Sequence, residues 1–261
     1  MSEARTALIT GASSGIGFEL AKQFAQHGYD LVVTAEDDGI HDVPGRLSEF
    51  GTAVQAVQAD LRTADGVEHV YHSTIEGGRV LSAAALNAGI GRGGRFIETE
   101  LADDLSIIDL NVRSTVHLAK LVLRDMANRE EGKVLFTSSV ASMMPGSYQT
   151  VYNASKSFIQ SFAEALRDEL RDTSITITAL MPGPTDTNFF HRANLDGAPV
   201  GKMSKDDPAQ VARQGFEALM RGDQKVVGGG VSSKIMGTVS RVLPDTVKAV
   251  GSRLLSAPLD R

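Results

Sequence analysis

Cysteine and tryptophan are both absent from the 261 residues. Without cysteine there can be no disulfide framework, thiolate nucleophile or cysteine-ligated metal. The six histidines form no H-x-x-x-H pair, and no metal site is expected. No apolar run reaches the length of about 18 residues that a membrane-spanning helix needs. Met1-Ser2-Glu3-Ala4-Arg5 leads into a short apolar run without the h-region of a signal peptide, which points to a cytoplasmic protein. Basic charge is in the minority, 26 Lys and Arg against 32 Asp and Glu, and the net charge of −6 argues against nucleic acid or an anionic membrane surface as a main partner.

What is present is ordinary for a globular chain with a sizeable core: 42% hydrophobic and 22% charged residues. Strand and helix patterns alternate along it. Short apolar runs at Ala7–Thr10, Leu31–Thr34, Ala53–Gln58, Val80–Leu86, Val134–Thr137, Ile175–Leu180 and Lys225–Val227 read as strands. Between them, Phe18, Leu20, Ala21, Phe24 and Ala25 recur at helical spacing, as do Val67, Val70 and Thr74. Leu101, Leu105, Ile108, Val112, Thr115, Ala119, Val122 and Met126 trace one long apolar stripe. Further helices are expected from Tyr148 and, capped by Asp207, over 208–221. Residues 41–50 read as an irregular connection, and the two prolines and glycine of Met181-Pro182-Gly183-Pro184 are expected to end the sixth strand. This alternation predicts an α/β fold, a doubly wound parallel sheet of seven strands with helices on both faces, in one domain over 1–261.

Two stretches carry chemistry. In Thr10-Gly11-Ala12-Ser13-Ser14-Gly15-Ile16-Gly17 a strand runs through a glycine turn into a helix, whose N-terminal N–H groups face a phosphate. The spacing is G-x-x-x-G-x-G, not G-x-G-x-x-G. Glu36 and Asp37 follow the second strand where a carboxylate meets an adenosine ribose, unless with Asp38 they are simply a solvated loop. In Tyr152-Asn153-Ala154-Ser155-Lys156 the phenol and ammonium are four residues apart on one helical face. A cation there is expected to favour the phenolate, a shift of ~3 pKa units corresponding to roughly 4 kcal/mol. The plainer reading is a half-buried ring with a lysine stem across it.

Thr10 to Gly17, Asp60, Asn87 to Gly89, Ser139 with Tyr152 and Lys156, and Pro182-Gly183 stand at successive strand ends. With the 13-residue interval from Ser139 to Tyr152, this set resembles the short-chain dehydrogenase/reductase family over roughly residues 5–230. The resemblance implies a single-domain Rossmann fold with a core over about 5–230, a substrate loop over about 186–207 and a C-terminal extension over 231–261. It implies an NAD(P)-dependent oxidoreductase that moves a hydride between nicotinamide and a secondary alcohol or ketone. Tyr152 would be the acid/base, Ser139 the donor to the substrate oxygen, and Lys156 the cation beside both Tyr152 and the nicotinamide ribose. Asn111 would interrupt its helix and hold a water linking Lys156 to solvent. Gly11, Ser13, Ser14, Ile16 and Gly17 would meet the pyrophosphate and adenosine, Asp60 and Leu61 the adenine, and Asn87, with Ala88 and Gly89, the neighbouring ribose. Pro182, Gly183, Thr185 and Thr187 would lie along the nicotinamide.

Leu86 stands where relatives often carry Asn, and Thr185 where a branched apolar residue is common. NADP-using members carry a basic residue at the positions held here by Ser14 and Glu36, so NAD(H) is favoured over NADP(H). A catalytically silent dinucleotide sensor or scaffold is the alternative, against which the full Asn111, Ser139, Tyr152, Lys156 set argues. A sugar epimerase or dehydratase of the extended branch would need a different glycine spacing and a longer C-terminal domain. Phe189, Phe190, His191, Leu195 and Met144 are expected near the mouth, which suggests a fairly apolar carbonyl or alcohol substrate. The long helices from Leu101 and Tyr148 resemble those that pair subunits, so a homodimer or homotetramer is expected. Val247, Val250, Leu254 and Leu255 suggest an amphipathic helix that covers the substrate mouth, contacts a partner subunit or meets another surface.

Overall fold

Successive residues of a strand point to opposite faces of a sheet, and β1 (Thr6–Thr10) shows what that does here: Ala7 and Ile9 enter one core and Leu8 the other. The structure, a computed structural model, describes residues 5–235 and 244–257. The other strands are β2 (Asp30–Ala35), β3 (Val54–Gln58), β4 (Leu81–Leu86), β5 (Glu131–Thr137), β6 (Ser174–Pro182) and β7 (Lys225–Gly228). All pair in parallel, in the order β3-β2-β1-β4-β5-β6-β7.

The longer helices among the described residues are α1 (Gly15–Gln26), α2 (Ala64–Ile75), α3 (Leu101–Ile107), α4 (Thr115–Arg129), α5 (Thr150–Glu169), α6 (Pro208–Arg221) and α7 (Asp245–Ser256), with single turns at Val43–Arg46, Phe189–Arg192 and Pro199–Lys202. α1 and α6 cover one face, where Phe24 is fully buried with its ring edge-on to Phe216 at 5.0 Å and Tyr29 at 5.2 Å. Such pairs add about 0.5–1.5 kcal/mol to the burial of the rings themselves. α2, α4 and α5 cover the other face through Val67 and Val70, Leu118, Val122 and Met126, and Ile159 and Ala163. Asp207 caps α6, accepting from the Ala209 N–H at 2.9 Å, and Gly222 ends it at φ 78°. Among the described residues no helix is long and apolar enough to cross a membrane, and no cluster of His, Asp and Glu is arranged to hold a metal.

Three local expectations are corrected. The stripe beginning at Leu101 does not stay on the core: Leu101, Leu105 and Ile108 are 68, 48 and 43% exposed. A π-helical turn over Ile108–Ser114 separates α3 from α4, and its wider winding rotates the faces before and after it. The helix of Tyr152 begins at Thr150, because Tyr148 has a left-handed φ of 65°. β6 continues through Pro182, opposite Gly228. Its last link to β5 joins the Ser138 N–H to the Leu180 carbonyl, and beyond it the Gly183 N–H supplies the donor to Gly228 at 3.2 Å.

Candidate active site

Connections from β1 and β4 run to opposite faces of the sheet, which opens a crevice beyond their carboxyl ends. Every residue assigned to the dinucleotide, from Gly11 to Thr187, lines the cleft found there, together with Ser139, Tyr152 and Lys156. Asn111 stands behind the wall, 1% exposed.

The dinucleotide end is shaped by absent side chains. A Cβ on Gly17 would run into the Gly11 carbonyl, and Gly11 and Gly15 hold φ of 67° and 57°, which glycine adopts without strain. Ser14, the N-cap of α1, makes no capping bond through its side chain, so the open N–H groups of that helix face the cleft. These features fit a pyrophosphate. Thr10 fixes the next loop, its hydroxyl accepting from the backbone N–H groups of both Asn87 and Ala88 at 2.9 Å. Asn87 ties β1 to β5, donating to the Thr10 carbonyl at 3.2 Å and accepting from the Thr137 hydroxyl at 3.1 Å.

Beyond β2 the acidic residues are built into the site. The Ser13 hydroxyl donates to Asp37 at 2.8 Å, and the Gln58 amide donates to Asp38 at 2.8 Å and to the Glu36 carbonyl at 3.0 Å. Two cations nevertheless stand near these carboxylates, from positions other than Ser14 and Glu36. Arg62 pairs with Glu36 at 2.6 Å and with Asp60 at 2.8 Å, and Arg46 lies 3.5 Å over the Phe18 ring, its guanidinium bonded to the Ser13 carbonyl at 3.4 Å. The hydrogen bond from Arg62 holds the Asp60 carboxyl below its ordinary value.

At the other end, α5 carries Tyr152 and Lys156, and β5 leads to Ser139. Lys156 Nζ donates to the Thr137 carbonyl at 2.9 Å and lies 5.9 Å from the Tyr152 ring centre. The expected lowering of the phenol by Lys156 is overturned here. Burial pushes Tyr152 up to about 12, only partly offset by a hydrogen bond with the Ser139 hydroxyl, and burial also lowers Lys156 to about 8. Both shifts disfavour the charged form.

Asn111 is held on three sides. It accepts from the Ile90 N–H and donates to the Ile90 carbonyl and the Ser155 hydroxyl, each at 2.9 Å. It lies inside the π-helical turn, so the helix is interrupted where the resemblance implied. A Cβ on Gly89 would sit 3.1 Å from both Asn111 Oδ1 and Lys156 Nζ, so the two polar groups converge on one bare stretch of backbone.

The mouth is partly as expected. Phe189 packs against Tyr152, with ring centres 5.1 Å apart, and Phe190 and Met144 also line the cleft. His191 does not: it turns outward and pairs with Asp196 at 2.8 Å. Leu195 is buried in a small cluster with Phe190, Ala193 and Ala198. Thr185 is buried, with its hydroxyl on the Gly183 carbonyl at 2.9 Å. The sequence reading missed Arg62, Ser155, Thr137 and Gln149; of the three surfaces it left open to α7 the cleft is the one met, through Leu255 and also through Ser252 and Ser256, which it did not name. The two serines carried no signal, since Val247, Val250 and Leu254 of the apolar pattern face the other way.

Residues 5–197 match the family model for short chain dehydrogenase. The oxidoreductase UcpA of Salmonella typhimurium is 31% identical over 218 residues, covering 82% of this chain and 80% of that protein. The 3-oxoacyl-[acyl-carrier-protein] reductase of Synechocystis is 31% identical over 203 residues, covering 76% and 80%. A short-chain dehydrogenase from Sphingobium yanoikuyae, solved in complex with NADPH, superposes with a TM-score of 0.80 at 29% identity, covering 85% of this chain and 87% of that one.

Proposed function

The chain belongs to the short-chain dehydrogenase family and is an NAD(P)-dependent oxidoreductase of CH–OH and C=O groups, and from that premise we propose that Tyr152 is its acid/base, with Ser139, Lys156 and Asn111 completing the set. The observation that carries this reading is the meeting of Ser139, Tyr152 and Lys156 in the cleft that begins at the glycine turn. The dinucleotide, when bound, supplies or accepts the hydride. In reduction the Tyr152 phenol gives its proton to the substrate oxygen, and in oxidation the phenolate takes it back. Ser139 donates to the same oxygen as charge develops there. Lys156, held by the Thr137 carbonyl, presents a cation beside the phenol, and Asn111 positions the Ile90 backbone near Lys156.

NAD(H) is the preferred cofactor in this reading. Glu36 and Asp37 line the cleft where a 2′-phosphate would have to stand, and Arg62, the cation behind them, is already met by Glu36 and Asp60. Titration with NADH and separately with NADPH, followed by nicotinamide fluorescence without indole background, is expected to show NADH binding about tenfold more tightly or better. Tighter binding of NADPH would reverse the preference, and binding of neither would remove the dinucleotide site. The substrate is a fairly apolar ketone or secondary alcohol, by the Met144, Phe189 and Phe190 walls.

Leu101, Leu105 and Ile108, together with the 42% exposed Phe158 of α5, form the face through which two copies pair in this reading. The apolar area they leave in water favours association. Leu105→Asp is expected to halve the apparent mass in sedimentation equilibrium; an unchanged mass would move the interface elsewhere.

A further inference from the structure

Helix α7 is turned inside out relative to its sequence pattern. Val247, Val250 and Leu254 are 49, 48 and 68% exposed, whereas Ser252 and Ser256 are 5 and 4% exposed and line the cleft. The hydrophobic effect alone would favour the reverse orientation, with the valines and leucine inward. The serines are four residues apart and so lie on one face of the helix. Ser256 accepts from the Gln149 amide at 2.9 Å. Ser252, one turn before it on the same face, lines the cleft beside it.

Gln149 is held by a strained neighbour. Tyr148 adopts φ 65°, a conformation unfavourable for a bulky side chain, and its carbonyl accepts from the Gly94 N–H at 2.8 Å. One turn further along, α5 presents Tyr152. Met144, Phe189 and Leu255 give this end of the cleft apolar walls, and Asn188 and Arg192 also line it. Three side chains that can hydrogen-bond, set beside Met144, Phe189 and Leu255 within reach of one helical turn from Tyr152, match a ligand that brings its own hydrogen-bonding group.

We infer that Gln149, Ser252 and Ser256 form a polar subsite that takes a second oxygen of an otherwise apolar substrate, so that the preferred substrates are hydroxyketones, diketones or the corresponding diols. The inference rests on Tyr152 being the acid/base of the same cleft. It makes α7 a specificity element, with the second oxygen read by side chains that touch neither the reacting carbon nor the dinucleotide turn.

The test uses matched methyl ketones with chains of about six to ten carbons, each with and without a terminal hydroxyl, so that the spacing between the two oxygens is scanned. With the full chain and NADH, the hydroxylated member of the best-fitting pair is expected to have a kcat/KM about tenfold higher, the scale of one net hydrogen bond. In Ser252→Ala and Ser256→Ala that ratio is expected to fall to about threefold or less. A merely structural role for the serines would lower both members together and leave the ratio intact. Equal kcat/KM within every pair for the unaltered protein, or a ratio retained in both variants, would overturn the subsite while leaving the acid/base assignment standing. Tyr152→Phe is expected to stop turnover of both members. Turnover that persists there, or no turnover of any ketone, would overturn the underlying reading and the subsite with it.

Discussion

Tyr152→Phe is expected to lower kcat by about a thousandfold, the scale of a positioned acid or base, while the dissociation constant for NADH changes by no more than about twofold. The substitution removes one oxygen and keeps the ring that packs against Phe189. Steady-state turnover of a simple ketone beside an NADH fluorescence titration separates the two quantities. Activity equal to that of the unaltered protein would end the assignment. The pH profile is a second check. With the phenol pushed up to about 12, Tyr152 keeps its proton throughout the neutral range. Reduction uses that proton and is expected to be nearly flat between about pH 6 and 8, whereas oxidation needs the phenolate and is expected to rise about tenfold per pH unit. A reduction rate that climbed with pH would contradict the acid role.

Gly17→Ala is expected to weaken dinucleotide binding by more than about a hundredfold, a loss of roughly 3 kcal/mol, and to lower Tm by several degrees. Gly17 does not need a left-handed backbone; it needs room. An added Cβ would collide with the Gly11 carbonyl oxygen, and Gly11 C and Asn87 Nδ2 lie only 2.6 and 2.7 Å from it. The turn would have to open, carrying the N–H groups of α1 out of line. Gly45→Ala is the control, since a Cβ there meets nothing within 4 Å and should leave NADH affinity unchanged. Normal NADH affinity in Gly17→Ala, measured by the same fluorescence titration, would show that the turn tolerates expansion.

The fold and the centre of the site were legible because their signals are local. Residues at alternating or helical spacing declare which faces are buried, and the glycine turn needs residues whose roles follow from backbone geometry over a few positions. Tyr152 and Lys156 are one helical turn apart, so their approach is a property of the helix. Legibility failed where spatial neighbours are far apart in the chain. Arg62 reaches Glu36 across the ends of β2 and β3, and no pattern around either residue announces that pairing. The Tyr152 phenol illustrates the same limit differently: the spacing to Lys156 suggested a lowered pKa, but burial, set by the whole surrounding fold, outweighs it.

By itself, then, the sequence determined the alternating parallel architecture, the glycine cradle and the Tyr152–Lys156 pair, each being a short-range consequence of periodicity and side-chain chemistry, while Ser139 entered through the family resemblance. Tertiary structure alone decided how the ends of the site are walled. Leu101, Leu105 and Ile108 were carried to the surface by the π-helical turn, His191 turned outward, and Leu195 was buried away from the mouth. Of the three surfaces open to α7, its serines came to rest on the cleft. A helical pattern says which side chains share a face, but which face lies inward depends on every element packed around it, and that free energy is not local to the helix.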